Sequence, residues 1–173
     1  IGYKSVCSNT TGNNNLAFGY QALHSNSTGY NNTAIGRSAL NQNVNGNRNT
    51  VVGYQAMWKN INGNYNTAIG AFSNYLNESG ACNTIIGYQA GHGNVNHTKS
   101  GNIHIGYNAG YYDTSDNKLY IENSNSTEPL VYGDFENDIL RIYGSLQVQN
   151  EYEFPSADGA NEQVMQTNGN GVL

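Results

Sequence analysis

The sequence has little charge. Only 11% of its 173 residues are Asp, Glu, Lys or Arg. A chain so poor in charge and so rich in Asn, Gly and Ser has a composition compatible with disorder. Its 37% apolar content and its strict repetition argue against that reading. The few basic residues are scattered, which excludes the dense basic patch of a nucleic-acid-binding surface. Cysteine is nearly absent. Cys7 and Cys82 stand more than four repeats apart, too far to meet in a rod, so no disulfide framework follows and the redox compartment stays open. No apolar run approaches the roughly 18 residues of a membrane-spanning helix, so membrane insertion is not expected. The chain opens inside a repeat, with neither an initiator methionine nor a signal sequence, and reads as a piece of something longer.

What is present is one short phrase, repeated. Asn32-Thr33-Ala34-Ile35-Gly36 recurs as Asn49–Gly53, Asn66–Gly70 and Asn83–Gly87, with weaker copies at Asn15–Gly19 and Asn102–Gly106. The closing glycines fall at 2, 19, 36, 53, 70, 87 and 106, a spacing of 17 broken once by 19. A second series runs in phase at Gly12, Gly29, Gly46, Gly63 and Gly80. A fixed short period means a repeat architecture in which each unit packs on its neighbours. Glycine every seven to ten residues, with no apolar i, i+3, i+4 pattern, excludes helix. β-Branched residues bounded by Gly and Asn read as short strands and turns. The expectation is an all-β fold: a parallel β-solenoid, or β-roll, of 17-residue repeats over residues 1–112.

Stacking the repeats aligns like with like. Asn15, Asn32, Asn49, Asn66, Asn83 and Asn102 are expected to form a ladder of side-chain amides along one turn. The two residues before each closing glycine point to opposite faces of the strand, and both are apolar. The large column is Phe18, Ile35, Val52, Ile69, Ile86 and Ile105; the small column is largely Ala17, Ala34, Val51 and Ala68. The large column is expected to fill the thin core and the small one to meet other chains near an axis, giving a homotrimer, because a lone coil has little core to offset its chain entropy.

The texture changes near residue 113. Residues 1–112 carry five Lys and Arg against Glu78 alone, a net +4, whereas 113–173 carry two against eleven acids, a net −9. The regular roll is expected to end after Gly87, where an insertion at 93–100 intervenes. Short alternating segments at Lys118–Glu122, Leu130–Gly133, Ile139–Tyr143 and Ser145–Val148 suggest a second region, 113–173, whose isolated strands need partners. A short-stranded collar interwoven between three chains is the expectation there, with loop from Pro155 to Gly171.

Two resemblances follow from these motifs. The phrase Asn-Thr-Ala-Ile-Gly-x-x-Ala, as in Asn32–Ala39, resembles the head repeat of YadA-type trimeric autotransporter adhesins, which implies a left-handed parallel β-roll trimer; the period of 17 is longer than that family's coil. The segments Leu119–Asn123, Leu130–Phe135, Leu146–Val148, Phe154–Gly159 and Val164–Gly169 look like the region of phage tail-fibre-type proteins that precedes a self-cleaving intramolecular chaperone. Together they imply a structural and host-attachment segment of a trimeric phage or virus fibre, exposed on the virion. The alternatives are the head of a bacterial cell-surface adhesin, or a glycan- or ice-binding solenoid using the threonine column Thr33, Thr50, Thr67 and Thr84.

Candidate sites are few. One column, five residues past each closing glycine, holds His24, Asn41, Trp58, Tyr75, His92 and Tyr111, with Lys59 and Tyr112 alongside. Aromatic faces beside Asn and Ser suit a sugar or a protein receptor on the host cell, and His24, Trp58, Lys59, Tyr75, His92 and Tyr111 are the receptor-binding candidates. His104 replaces the small residue of its phrase and would form a ring at a three-fold axis able to hold a metal or an anion. No nucleophile elbow or positioned acid pair is present, so neither an enzymatic role nor a cofactor is expected.

Overall fold

The computed structural model describes residues 1–144, 146–148 and 152–154. It is all β, with no helix among the described residues. Six three-residue strands, β1 (Leu16–Phe18), β2 (Thr33–Ile35), β3 (Thr50–Val52), β4 (Thr67–Ile69), β5 (Thr84–Ile86) and β6 (Ile103–Ile105), pair in parallel, each with the next. Register follows the sequence phase: Thr33 faces Thr50, then Thr67, then Thr84. Each phrase is thus the strand of one turn of a parallel β-solenoid, rising about 4.8 Å per turn.

The rest of each coil is turned by left-handed corners. In the third full repeat these are Gln55 (φ 50), Met57 (φ 44) and Tyr65 (φ 57), and the same three positions are left-handed along the rod. Glycine and asparagine are the residues expected in such corners; here Gln, Leu, Met, Arg and Tyr serve, although a bulky left-handed residue costs about 1–2 kcal/mol. Hydrogen bonds between coils hold them in place. Gln55 N–H donates to the Arg37 carbonyl (2.9 Å), Met57 N–H to Ser73 (2.8 Å) and Tyr65 N–H to Asn47 (3.0 Å). Glycine is kept where nothing else fits. Gly53 has φ +143, and a methyl group on it would be driven into the Gly70 carbonyl of the next coil.

The two faces of the strand are the reverse of the sequence expectation. The small column points inward: Ala34, Val51, Ala68 and Ile85 are all 0% exposed within a single chain. The large column points outward, with Phe18 53% and Ile35 36% exposed. The cause is interior volume. Each coil also turns inward the residue four past its glycine, and the two positions trade size. Ala17 lies with Leu23, Ala34 with Leu40 and Ala68 with Asn74, whereas Ile85 lies with Gly91 and His104 with Gly110; the coil of Val51 and Met57 departs from the trade, with both side chains sizeable and buried. A coil this narrow holds roughly one large side chain. A second large column inside would overpack it.

Beside this apolar core run two buried ladders of asparagine. In the expected one, Asn49 Nδ2 donates to Asn32 Oδ1 (3.0 Å) and to the Gly63 carbonyl (2.9 Å), while its own Oδ1 accepts from Asn66 N (3.0 Å) and Asn66 Nδ2 (3.1 Å). The same pattern joins Asn15 to Asn32 and carries on to Asn83, and Asn102 N donates to Asn83 Oδ1 (3.0 Å). The second ladder, Asn9, Asn26, Asn43 and Asn60, is joined by amide bonds of 2.7–2.9 Å.

The roll does not end at Gly87. Its insertion loops outward at 94–96, and β6 continues the register, Thr84 beside Ile103. β7 (Lys118–Ile121) then pairs with β6 in parallel, and β8 (Val131–Asp134) and β9 (Ile139–Ile142) follow as an antiparallel meander. One nine-stranded sheet therefore runs across residue 113. β10 (Leu146–Val148) and β11 (Tyr152–Phe154) form a separate antiparallel pair. The motifs from Pro155 onward, including Val164–Gly169 and the expected terminal loop, lie outside the described residues.

Replacing Asn49 by Ala strands buried partners in the coils on both sides. The expected loss is about 2–4 kcal/mol of unfolding free energy, measured by urea titration. Asn62→Ala, at an exposed position of the same coil, should cost less than about 1 kcal/mol.

Candidate functional site

The column proposed for receptor binding is assembled, but not as an open aromatic surface. Trp58, Tyr75, His92 and Tyr111 stack face to face, with centroid separations of 5.5, 5.0 and 4.9 Å and interplanar angles of 16°, 16° and 3°. Each inner ring has both faces covered by its neighbours, so only ring edges turn outward. His24 and Asn41 do not extend the stack: Asn41 Nδ2 donates to the Gln21 carbonyl (3.0 Å) and His24 Nδ1 lies 3.5 Å from Ser25 Oγ. Lys59 is held by Glu78 at 3.3 Å. The stripe is thus chiefly a structural ladder, and a sugar ring has no free face along its length.

A second ladder, which the sequence did not single out as a site, follows the residue after each glycine. Tyr3 stacks on Tyr20 (5.6 Å), and Tyr88 on Tyr107 (5.6 Å, 8°). Between them, the Arg37 guanidinium lies 5.5 Å from the Tyr20 ring and 5.8 Å from the Tyr54 ring. Phe72 meets Tyr54, Tyr75 and Tyr88 edge-on and so joins the two ladders. Ala71, in place of tyrosine, leaves the room that Phe72 fills.

Inside the last coils the core turns polar. His104, expected at a three-fold axis, is fully buried within its own chain, with Nε2 3.3 Å from Asp113 Oδ2 but without an aligned hydrogen bond. It cannot reach another subunit, and the axial ring is withdrawn. Lys99, also buried, donates from Nζ to the carbonyls of Gly91 (3.0 Å) and Asp113 (2.9 Å). Gly91 and Gly110 make this possible. A side chain on Gly91 would press on His104 Nδ1 and Lys99 Nζ, at 3.2 and 3.3 Å, and one on Gly110 would overlap the His104 ring. The sequence signal for this cluster was available: glycine replaces Leu23, Leu40 and Met57 at the inward corner where the buried Lys and His arrive. Among the described residues, no group of three or more His, Cys, Asp and Glu is placed to hold a metal.

Burial sets the protonation of this cluster. Desolvation lowers Lys99 to about 8, His104 to about 4 and His97 to about 3, with the Lys99 charge adding to the fall of both histidines. Burial works the other way on Asp113, but His104 and Lys99 beside it hold its carboxyl below the usual range. Tyr120, edge-on to His104 at 5.1 Å, is pushed up to about 12 by burial first and by Asp113 second.

Above the cluster a cleft of about 200 Å³ opens between the 110–115 corner, Tyr120 and the 125–127 loop. The arrangement defines a β-solenoid repeat protein with two stacked-ring ladders and a polar interior at one end. Compared with protein-family models, with curated proteins and with solved structures, the chain shows no significant match.

Two outcomes follow. His97 and His104 have folded pKa values below the unfolded value of about 6.5, so the unfolded chain binds protons first as pH falls. Their neutral burial costs nothing in charging above pH 6.5. Below it, stability should fall by about 1.4 kcal/mol per pH unit for each histidine, down to pH of about 4. Thermal melts between pH 7 and 4.5 should show this, and His104→Gln should remove about half the slope. Second, His92→Ala takes the middle ring from the stack and should cost about 1–3 kcal/mol for two lost pairs, read as a shift in the urea midpoint.

Proposed function

We propose that the chain is a structural and host-attachment segment of a trimeric phage or virus fibre, exposed on the virion, with β7–β11 contributing to a collar between three chains. The observation that carries this reading is the unpartnered outer face of the solenoid. Phe18, Ile35, Val52, Ile69, Ile86, Ile105 and Ile121 form one outward column, bordered by the threonine column and by the tyrosine ladder. Six strand spacings make it roughly 30 Å long. A continuous apolar stripe of this length is unlike the singly scattered apolar residues of a monomer's surface.

A second copy of the chain fits that stripe better than an unrelated partner does. The face repeats the same residues at every coil, so it matches a neighbour with the same rise and register. Across the aliphatic and threonine columns it carries no charge to repel a copy of itself. A narrow face on a thin rod is covered most fully when copies close around an axis, and three copies would bring three Ile side chains to one level at each coil. The axis then lies along the large column rather than the alanine column. This corrects the face but keeps the trimer. The motif likeness to fibre and adhesin repeats supports the attachment role, which needs neither catalysis nor cofactor. The outward, in-register threonines favour an ice- or glycan-binding solenoid as a second reading; thermal-hysteresis activity of the purified chain is its test.

Light scattering should give the mass of three chains, unchanged on dilution. Ile69→Asp with Ile86→Asp should give one-chain mass with the β circular-dichroism signal retained. A wild-type monomer would remove the fibre reading.

A further inference from the structure

The outer aromatic ladder stops one rung short of the last parallel strand, β7. Register places residue 122 level with Gly106, since Ile105 pairs with Ile121. The rung above Tyr111 therefore falls to Thr127, which has no ring. Tyr75 and His92 have a ring on each face, and Trp58 ends the stack on the Asn41 side; at the other end Tyr111 has His92 on one face and Tyr112 edge-on at 4.8 Å, with no ring stacked in register beyond it. The cleft of about 200 Å³ lies there, lined by Tyr111, Tyr112, Asp113, Tyr120, Asn125 and Thr127 among others.

We propose that this cleft binds one neutral pyranose, with the sugar ring taking the place of the missing rung. The C–H face of a pyranose packs on an aromatic ring much as another ring does. The hydroxyls would find a carboxylate, an amide and a hydroxyl at Asp113, Asn125 and Thr127. Asp113 Oδ2 is buried against His104 Nε2 at 3.3 Å, so the oxygen offered to a sugar hydroxyl is Oδ1, which also accepts from Ser115 N–H (3.1 Å). The Tyr120 phenol supplies a further hydrogen-bonding group on the wall. Size and charge narrow the class. The cleft is smaller than the roughly 300–1,000 Å³ of pockets for larger ligands, which suits a single sugar or the end of a chain. Asp113 is the only charged side chain among the lining residues, so sugars bearing a carboxylate or sulfate are repelled. The proposal deepens the attachment reading and rests on it for the sugar's place on a host surface; the cleft itself is built within one chain.

The test is saturation-transfer NMR on the full chain with the methyl glycosides of glucose, galactose, mannose and N-acetylglucosamine. The methyl glycoside of sialic acid and choline serve as anionic and cationic probes. The expected result is transfer from at least one neutral sugar and none from the sialoside. Tyr111→Ala should weaken that binding about tenfold, and Thr127→Val, at an exposed rim position that should not disturb folding, should weaken it measurably. No transfer from any neutral sugar, transfer from choline alone, or binding unchanged in a folded Tyr111→Ala and in Thr127→Val would each overturn the proposal. Solution mass separates the two readings. Sugar binding by a monomer would sink the trimeric fibre and leave the site standing, whereas a trimer that binds no neutral sugar would do the reverse.

Discussion

The cross-section of the coil admits about one large side chain, and the rest of the structure follows from that limit. Seventeen residues, of which three form strand and the remainder turn corners, enclose a narrow interior. Leu23 and Leu40 fill it from one corner where the strand offers Ala17 and Ala34. Ile85 fills it from the strand where the corner offers Gly91. Because the interior is so quickly full, the second apolar column of each phrase is turned out, and the molecule acquires an exposed apolar stripe along its outer face. The oligomer proposed above is thus the other side of the same packing limit.

So thin a core cannot by itself offset the entropy of ordering 17 residues per turn. The remaining stabilisation comes from repetition perpendicular to the strands. Amide ladders, corner hydrogen bonds and stacked rings all run along the rod, so every coil both gives and receives the same bonds. This explains how Met57 and Tyr65 are held in left-handed backbone without glycine: the coils above and below fix their N–H groups. It also explains the glycine columns, where adjacent backbones approach too closely for a methyl group.

The C-terminal coils break the pattern in a way that has a physical account. Once glycine replaces leucine at the inward corner, the space is taken by the Lys99 ammonium and the His104 ring, and the charges compensate through Asp113. The solenoid there is held by buried polar groups, and desolvation lowers the proton affinity of Lys99, His97 and His104. This end is also where the aromatic ladder gives out and the cleft opens. The transition from parallel coil to antiparallel meander therefore gathers the cleft, the polar core and the open rung into one place.

The sequence by itself determined the period, the strand phrase, the parallel stacking and the asparagine ladder, because each depends on residues that recur at a fixed spacing and so must align in any stacked coil. It also located the aromatic column and the strands of 118–142. Which of two adjacent apolar residues faces inward was decided only by the tertiary structure. Strand alternation separates the faces without ranking them, and the choice turned on how much volume the distant corner residue had already taken. Trading of size between Ala34 and Leu40, or Ile85 and Gly91, was visible in the sequence, but its meaning required knowing that those positions meet. The same holds for Trp58, Tyr75, His92 and Tyr111. Their alignment was legible, whereas the rotation of the rings onto one another, which removes the faces of Tyr75 and His92 from any ligand, depends on a coil rise close to the stacking distance of aromatic rings.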